Sequence, residues 1–171
     1  MEVQNPFKDF KSTQDLIFKK WETARKDIDS EDRSLVTFIE GPPTMNGEPH
    51  IGHVRGRVIK DLFYRMEVLK GNKVFFRAGW DTQGLPVELE AEKELGISGN
   101  KYQVLNKIGE DKLVAKCKEL IHKYNKVWRE VDRQLGLMFD YDKAYWTYKD
   151  EYIEREWKII KAAYEKGLMI K

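Results

Sequence analysis

Leu35-Val36-Thr37-Phe38-Ile39 runs through Glu40 into Gly41-Pro42-Pro43-Thr44-Met45-Asn46-Gly47-Glu48-Pro49 and then into His50-Ile51-Gly52-His53. The first five residues are apolar and β-rich, the pattern of a short strand buried on both faces of a parallel sheet. Consecutive prolines cannot donate to a ladder, so the strand stops at Gly41. A helix begins near His50. Val54, Val58, Ile59, Leu62, Phe63, Met66 and Leu69 recur at spacings of three and four along it, and Gly71 supplies a left-handed cap. Val74-Phe75-Phe76 reads as a second strand, leading into Arg77-Ala78-Gly79-Trp80-Asp81. Strand, glycine-containing turn, helix and strand in that order form a βαβ unit, which requires a parallel sheet and a right-handed crossover. The fold class is α/β.

The flanks are helical. Residues 12–27 form an amphipathic helix capped by Ser12 or Thr13, with Leu16, Ile17, Lys20 and Trp21 on its packing side. The polar run 27–33 reads as a linker. Residues 1–33 are therefore an N-terminal helical extension and linker, and 34–171 the α/β unit, with a helical segment from about 100 to 171. A helix over 87–95 is closed by Gly96. A longer one over 109–135 carries the seam Val114, Cys117, Ile121, Tyr124, Trp128, Val131 and Leu135 and ends at Gly136. A last helix over 150–166 buries Ile153, Trp157, Ile160 and Tyr164. Cys117 reads as a small core hydrophobe and His122 as a surface residue.

The 171 residues fit one domain or slightly more. Hydrophobic residues at 41% and aromatic residues at 12% exclude the disordered class. No apolar run approaches the length of a membrane span, and the first residues are no signal peptide. Cys117 is the only cysteine, so a disulfide framework or a four-cysteine zinc site within the chain is excluded. The expected localisation is cytoplasmic. The net charge of +2 hides local asymmetry. Over 54–77, seven basic residues (Arg55, Arg57, Lys60, Arg65, Lys70, Lys73, Arg77) stand against Asp61 and Glu67. Residues 78–99 are acidic on balance, and 100–135 basic again. The basic stretches either face an anionic ligand, such as a nucleotide or RNA, or are solvated helix faces.

The loop 41–53 lies at the carboxyl end of a strand and the amino end of a helix, where α/β sheets place ligands. A helix amino terminus offers unpaired N–H groups and partial positive charge, which suit a phosphate. His50 and His53, three apart, can both point at one anion, and Gly52 lets a flat base lie on the backbone. Neither a Gly-x4-Gly-Lys-Ser/Thr loop nor a Gly-x-Gly-x-x-Gly run is present. On the residues alone three readings stay open: a nucleotide phosphate site, a structural cap, and a metal pair that lacks an evident third ligand.

Pro-Pro-x-x-Asn-Gly-x-x-His-Ile-Gly-His, residues 42–53, resembles the HIGH signature of class I aminoacyl-tRNA synthetases. The block Ala78-Gly79-Trp80-Asp81-Thr82-Gln83-Gly84-Leu85-Pro86-Val87-Glu88-Leu89-Glu90 resembles the isoleucine-specific members. Gln83 stands where their pattern has His. The resemblance implies a Rossmann-like parallel sheet, the first half of a synthetase catalytic domain. It implies activation of isoleucine with ATP and Mg²⁺ and transfer to tRNA(Ile). His50 and His53 would be catalytic and serve the phosphates, with Thr44, Asn46 and Gly52 completing the ATP site. Gly41 and Pro42 would wall the amino-acid pocket, and Asp81 would hold the α-ammonium. Trp80 either packs in the core or contacts a ligand directly. No metal ligand and no zinc site is implied within the chain. No Lys-Met-Ser-Lys-Ser-like segment, Cys-x-x-Cys module, editing domain or anticodon-binding domain is found, so the chain reads as a fragment with half an active site. Two rival functions are an RNA-binding paralogue or fragment without catalysis and a small stand-alone nucleotidyltransferase.

Overall fold

An apolar run blocked by two prolines becomes a strand, and the helix after it carries the chain back to lay a second strand alongside. The computed structural model describes residues 10–28 and 33–169. In chain order the elements are α1 (Phe10–Ile28), β1 (Leu35–Ile39), α2 (Ile51–Leu69), β2 (Lys73–Arg77), β3 (Gly79–Trp80), α3 (Leu85–Glu94), α4 (Lys101–Ile108), α5 (Glu110–Gln134), β4 (Tyr145–Trp146) and α6 (Asp150–Glu165). β1 and β2 pair in parallel, Leu35 opposite Lys73 and Ile39 opposite Arg77, with α2 as the crossover. α2 ends in a Schellman motif. Gly71, at φ 86°, donates to the Val68 carbonyl, and Asn72 donates to that of Glu67.

A second parallel pair sets Gly79 opposite Tyr145 and Trp80 opposite Trp146. The Tyr145 ring covers Gly79 so closely that a Cβ there would come within 2.3 Å of it. One core cluster joins Met45 and Trp80 to Val87 and Ala91 of α3, Val104 of α4, and Leu113, Leu120, Ile121, Tyr124 and Trp128 of α5. A second cluster gathers Tyr64, Phe76, Ala78 and Phe139. Among the described residues no helix is long and apolar enough to cross a membrane.

Several faces differ from expectation, and always for want or presence of a partner. Leu35, Thr37 and Ile39 are exposed, so β1 is not buried on both faces. A strand is covered on both faces only when a layer packs on each, and among the described residues the face carrying Leu35, Thr37 and Ile39 stays open. α2 is turned: its apolar side (Val58, Ile59, Leu62, Phe63, Met66, Leu69) is exposed, and Arg57, Asp61 and Tyr64 are buried instead. The polar side wins because partners await it. Arg57 meets Asp132 and Glu40, and Asp61 accepts from Arg65 and the Met138 N–H. α5 buries Ile121, Tyr124 and Trp128 as expected, but also Leu113, Leu120, Asn125 and Asp132, while Val114 and Leu135 are exposed. α6 buries no residue, and Trp157, Ile160 and Tyr164 are exposed. In α1, Leu16 and Ile17 are exposed. Contact runs instead through Phe18 and Trp21, which pack on Gly136, and through Gln14, which donates to the Gln134 carbonyl. α4 is an additional helix, its start fixed by reciprocal hydrogen bonds between Asn100 and Gln103. Residues 29–32 of the expected linker lie outside the described residues.

Candidate active site

His50 is the N-cap of α2. Its Nδ1 accepts the Gly52 N–H at 3.1 Å, and its own backbone N–H donates to His53 Nδ1 at 3.2 Å. The rings stack with centroids 3.7 Å apart. With Nδ1 of each ring engaged as acceptor, the proton of the neutral imidazole sits on Nε2, which remains a donor. Capping and anion binding therefore use different nitrogens of the same rings and are compatible. Burial, then the charges of His50 and Arg57, hold the His53 pKa below the ordinary 6.5. Near neutral pH His53 is an uncharged N–H donor.

The loop that delivers these rings is stitched to the end of β3. The Met45 N–H donates to the Asp81 carbonyl at 2.8 Å and the Asp81 N–H to the Pro43 carbonyl at 3.0 Å, a parallel bridge at Thr44 and Asp81. The Thr44 hydroxyl donates to Asp81 Oδ2 at 2.7 Å. Thr147, just beyond β4, takes the Thr82 N–H at 2.9 Å, and its hydroxyl lies 3.4 Å from Asp81 Oδ1. The Asp81 carboxylate thus stands half-buried between two hydroxyls.

From below, α5 braces the loop. Trp128 Nε1–H donates to the Gly47 carbonyl at 2.8 Å, and the Trp128 ring lies 4.8 Å from that of His53. One turn along α2, Arg57 is 3% exposed and makes two 2.6 Å bonds to Asp132 and one of 2.9 Å to Glu40. Tyr141 donates to Asp132 and accepts from Arg57. Burial alone would lower the Arg57 pKa. The Asp132 hydrogen bonds and the charge of Glu40 outweigh it, so the net shift is upward and the guanidinium stays charged. Lys60 donates to Glu40 and to the Gly41 carbonyl, both at 3.1 Å.

Between the loop and α2 is a cavity of about 210 Å³, lined by Gly41, Pro42, Pro43, Gly52, His53, Gly56, Arg57, Lys60 and Trp128. It brings Gly41 and Pro42 together with Gly52 and His53. Thr44, Asn46, His50 and Asp81 do not line it. Thr44 is turned to Asp81, while Asn46 and His50 are exposed on the same loop. Trp80 is 1% exposed, in the core. Cys117 is half-buried, its thiol pushed up by burial and then by the charge of Glu88, which makes it a poor nucleophile. His122 is exposed beside Trp146. Gln83 opens onto a separate cavity of about 240 Å³ between α3, α4 and α5. Sequence reasoning missed Glu40, Arg57, Lys60, Trp128 and Thr147 as supports. Trp128 lay in a seam and read as core. Glu40, an acid closing an apolar strand, was the one local signal.

A family profile described as "tRNA synthetases class I (I, L, M and V)" matches residues 10–171, so the chain belongs to the class I tRNA synthetases. Within that family it is similar to isoleucine enzymes. Isoleucine--tRNA ligase of Clostridium novyi is 45% identical over 166 residues, 95% of this chain and 16% of that protein. Isoleucine--tRNA ligase 2 of Bacillus cereus is 50% identical over 134 residues, 78% of this chain and 13% of that protein. The chain thus spans about 16% of the length of curated relatives it matches. Among solved structures, the agnB2 LeuRS of Agrobacterium radiobacter K84, in ternary complex with tRNA and LeuAMS, superposes over 94% of this chain and 18% of its own, with a TM-score of 0.65 and 24% identity. That likeness shows the Rossmann-like class I fold.

Proposed function

We propose that this chain forms one side of a site that joins isoleucine and ATP as isoleucyl-adenylate, releasing pyrophosphate, before the isoleucyl group passes to tRNA(Ile). One observation carries the reading: the loop bearing His50 and His53 is bridged by backbone hydrogen bonds to the segment bearing Asp81, so groups assigned to opposite substrates are held on two strands of backbone tied to each other. In this reading residues 34–171 form the first half of the catalytic domain and 1–33 an extension to it.

The chemistry asks little beyond placement. An amino-acid carboxylate is already anionic, so its oxygen attacks the α-phosphorus without a base, and the P–O bond to pyrophosphate breaks in line. What must be stabilised is charge on phosphate oxygens. The Nε2–H groups of His50 and His53 and the amino end of α2 supply donors there, with Asn46 beside them on the loop. Gly52 underlies the base. Asp81, held by Thr44 and Thr147, takes the α-ammonium, and Gly41 and Pro42 wall the amino acid. No group of three His, Cys, Asp or Glu side chains able to hold a metal occurs among the described residues. In this reading Mg²⁺ arrives with the ATP phosphates and is counted with the substrate.

The test is ATP–pyrophosphate exchange, driven by isoleucine, valine, leucine or methionine, in a protein of the relatives' length that carries these residues. Isoleucine should drive the fastest exchange at limiting concentration. A preference for any of the other three would overturn the assignment.

A further inference from the structure

Lys60 stands about two turns beyond His53 on α2, its side chain 28% exposed, and lines the same cavity as Gly41, Pro42 and His53. Its ammonium donates to Glu40 Oε1 and to the Gly41 carbonyl, both at 3.1 Å. That carbonyl belongs to the Gly41–Pro42 peptide, and among the described residues no other hydrogen bond reaches this peptide. Pro42 and Pro43 have no N–H with which to anchor the chain. Upstream, the Glu40 N–H is fixed on the Arg77 carbonyl, and downstream the bonds to Asp81 begin at Pro43. Between these two fixed points the orientation of the Gly41–Pro42 peptide is left to Lys60. Glu40, its side chain fully buried, carries the tie further: its Oε2 accepts the N–H of Gly79, two residues before Asp81, at 3.3 Å. Arg57 is committed to Asp132, Glu40 and Tyr141 and makes no bond to Gly41.

We propose that Lys60 is a positioning residue for the amino acid: it orients the Gly41–Pro42 peptide and, through Glu40, sets that wall against the backbone leading to Asp81. The inference rests on the reading of Gly41, Pro42 and Asp81 given above and deepens it. Both pieces of backbone that Lys60 ties together are assigned to the amino acid, so its loss is felt in amino-acid binding. The imidazoles and the amino end of α2, which serve ATP, are held by other bonds. A lysine ammonium has three protons and two are engaged here, so a phosphate contact by the third is the rival role, and kinetics separate the two.

The experiment is isoleucine-driven ATP–pyrophosphate exchange in a protein of the relatives' length, wild type against Lys60→Met and Lys60→Arg, with thermal unfolding of each. Lys60→Met should raise the KM for isoleucine about tenfold, the scale of one charge-assisted hydrogen bond, and leave kcat and the KM for ATP within about twofold. Lys60→Arg keeps a cation with donors for both Glu40 and Gly41, and should recover most of that loss. An unchanged KM for isoleucine in Lys60→Met, or no recovery in Lys60→Arg, overturns the positioning role while the adenylate reading stands. A loss carried by kcat or by the KM for ATP overturns it as well and gives Lys60 to the phosphates. A Lys60→Met protein already unfolded at the assay temperature also overturns it, because the lysine then holds the fold rather than the peptide. A wild type in which isoleucine drives no exchange overturns the adenylate reading, and this inference with it.

Discussion

Asp81 shows how much a single side chain is asked to do. Its carboxylate is fixed by the Thr44 hydroxyl at 2.7 Å, with the Thr147 hydroxyl 3.4 Å from the other oxygen. In the proposed reading Asp81 takes the α-ammonium, which is common to all amino acids, so it would give affinity rather than choice among side chains. Asp81→Ala should raise the KM for isoleucine and for valine by similar factors in exchange kinetics; loss confined to isoleucine would place Asp81 in the side-chain pocket. Thr147→Val should raise the KM for isoleucine and leave that for ATP, and Thr147→Ser should restore it, because serine keeps the hydroxyl. His53 sets a pH dependence. Its folded pKa lies below the ordinary 6.5, so the unfolded chain takes up that proton first as pH falls. Its contribution to stability is present above 6.5 and is lost as pH drops through the window beneath it. The chain has three histidines, so proton NMR of the ring Cε1–H signals can follow each. The His53 signal should titrate below 6.5, and a midpoint above that would contradict the burial argument.

At the scale of elements, α5 is the support of the site rather than a mere core helix. Trp128 holds the Gly47 carbonyl and Asp132 holds Arg57, both 75 or more residues away in sequence. Removing the buried cation takes two hydrogen bonds from Asp132 and leaves Lys60 as the cation beside Glu40, so Arg57→Met should lower stability by about 3–5 kcal/mol in urea unfolding. A loss under about 1 kcal/mol would show that the network is not a clamp. The bounds of β1, α3, α5 and α6 were legible to within a residue or two, since proline, glycine and periodicity act locally. The direction a face points was not legible. Apolar spacing in α2 named a side, yet the helix turns Arg57 and Asp61 inward because Asp132, Glu40 and Met138 stand there, and no local pattern announces them. Two-residue strands such as β3 and β4 hold no period to read. The start of α4 was written in Asn100 and Gln103 as a capping box. Of the site, the loop and Asp81 were legible from motifs, but their supports were not.

Among the described residues, large apolar side chains stand open on most of the helices, most densely on α2 and α6, and on β1. Leu62 and Phe63 of α2 are 55% and 59% exposed, Trp157 of α6 64%, and Leu35 and Ile39 of β1 over 60%. Contiguous apolar faces of this kind are normally interaction surfaces. Leu62→Lys with Phe63→Glu should lower the binding of a hydrophobic dye while changing stability by no more than about 0.5 kcal/mol per site. Unfolding of that variant would show that α2 buries the side it seems to leave open. In the proposed reading the loop and its two imidazoles act on the phosphates once both substrates are in place. The most direct test is ATP–pyrophosphate exchange in a protein of the relatives' length, wild type against His50→Ala and His53→Ala. Each variant should lose about 10²–10³ in kcat with little change in the KM for ATP, because the Nε2 donors act on charge that develops in the transition state. Exchange at the wild-type rate in both variants would contradict the account.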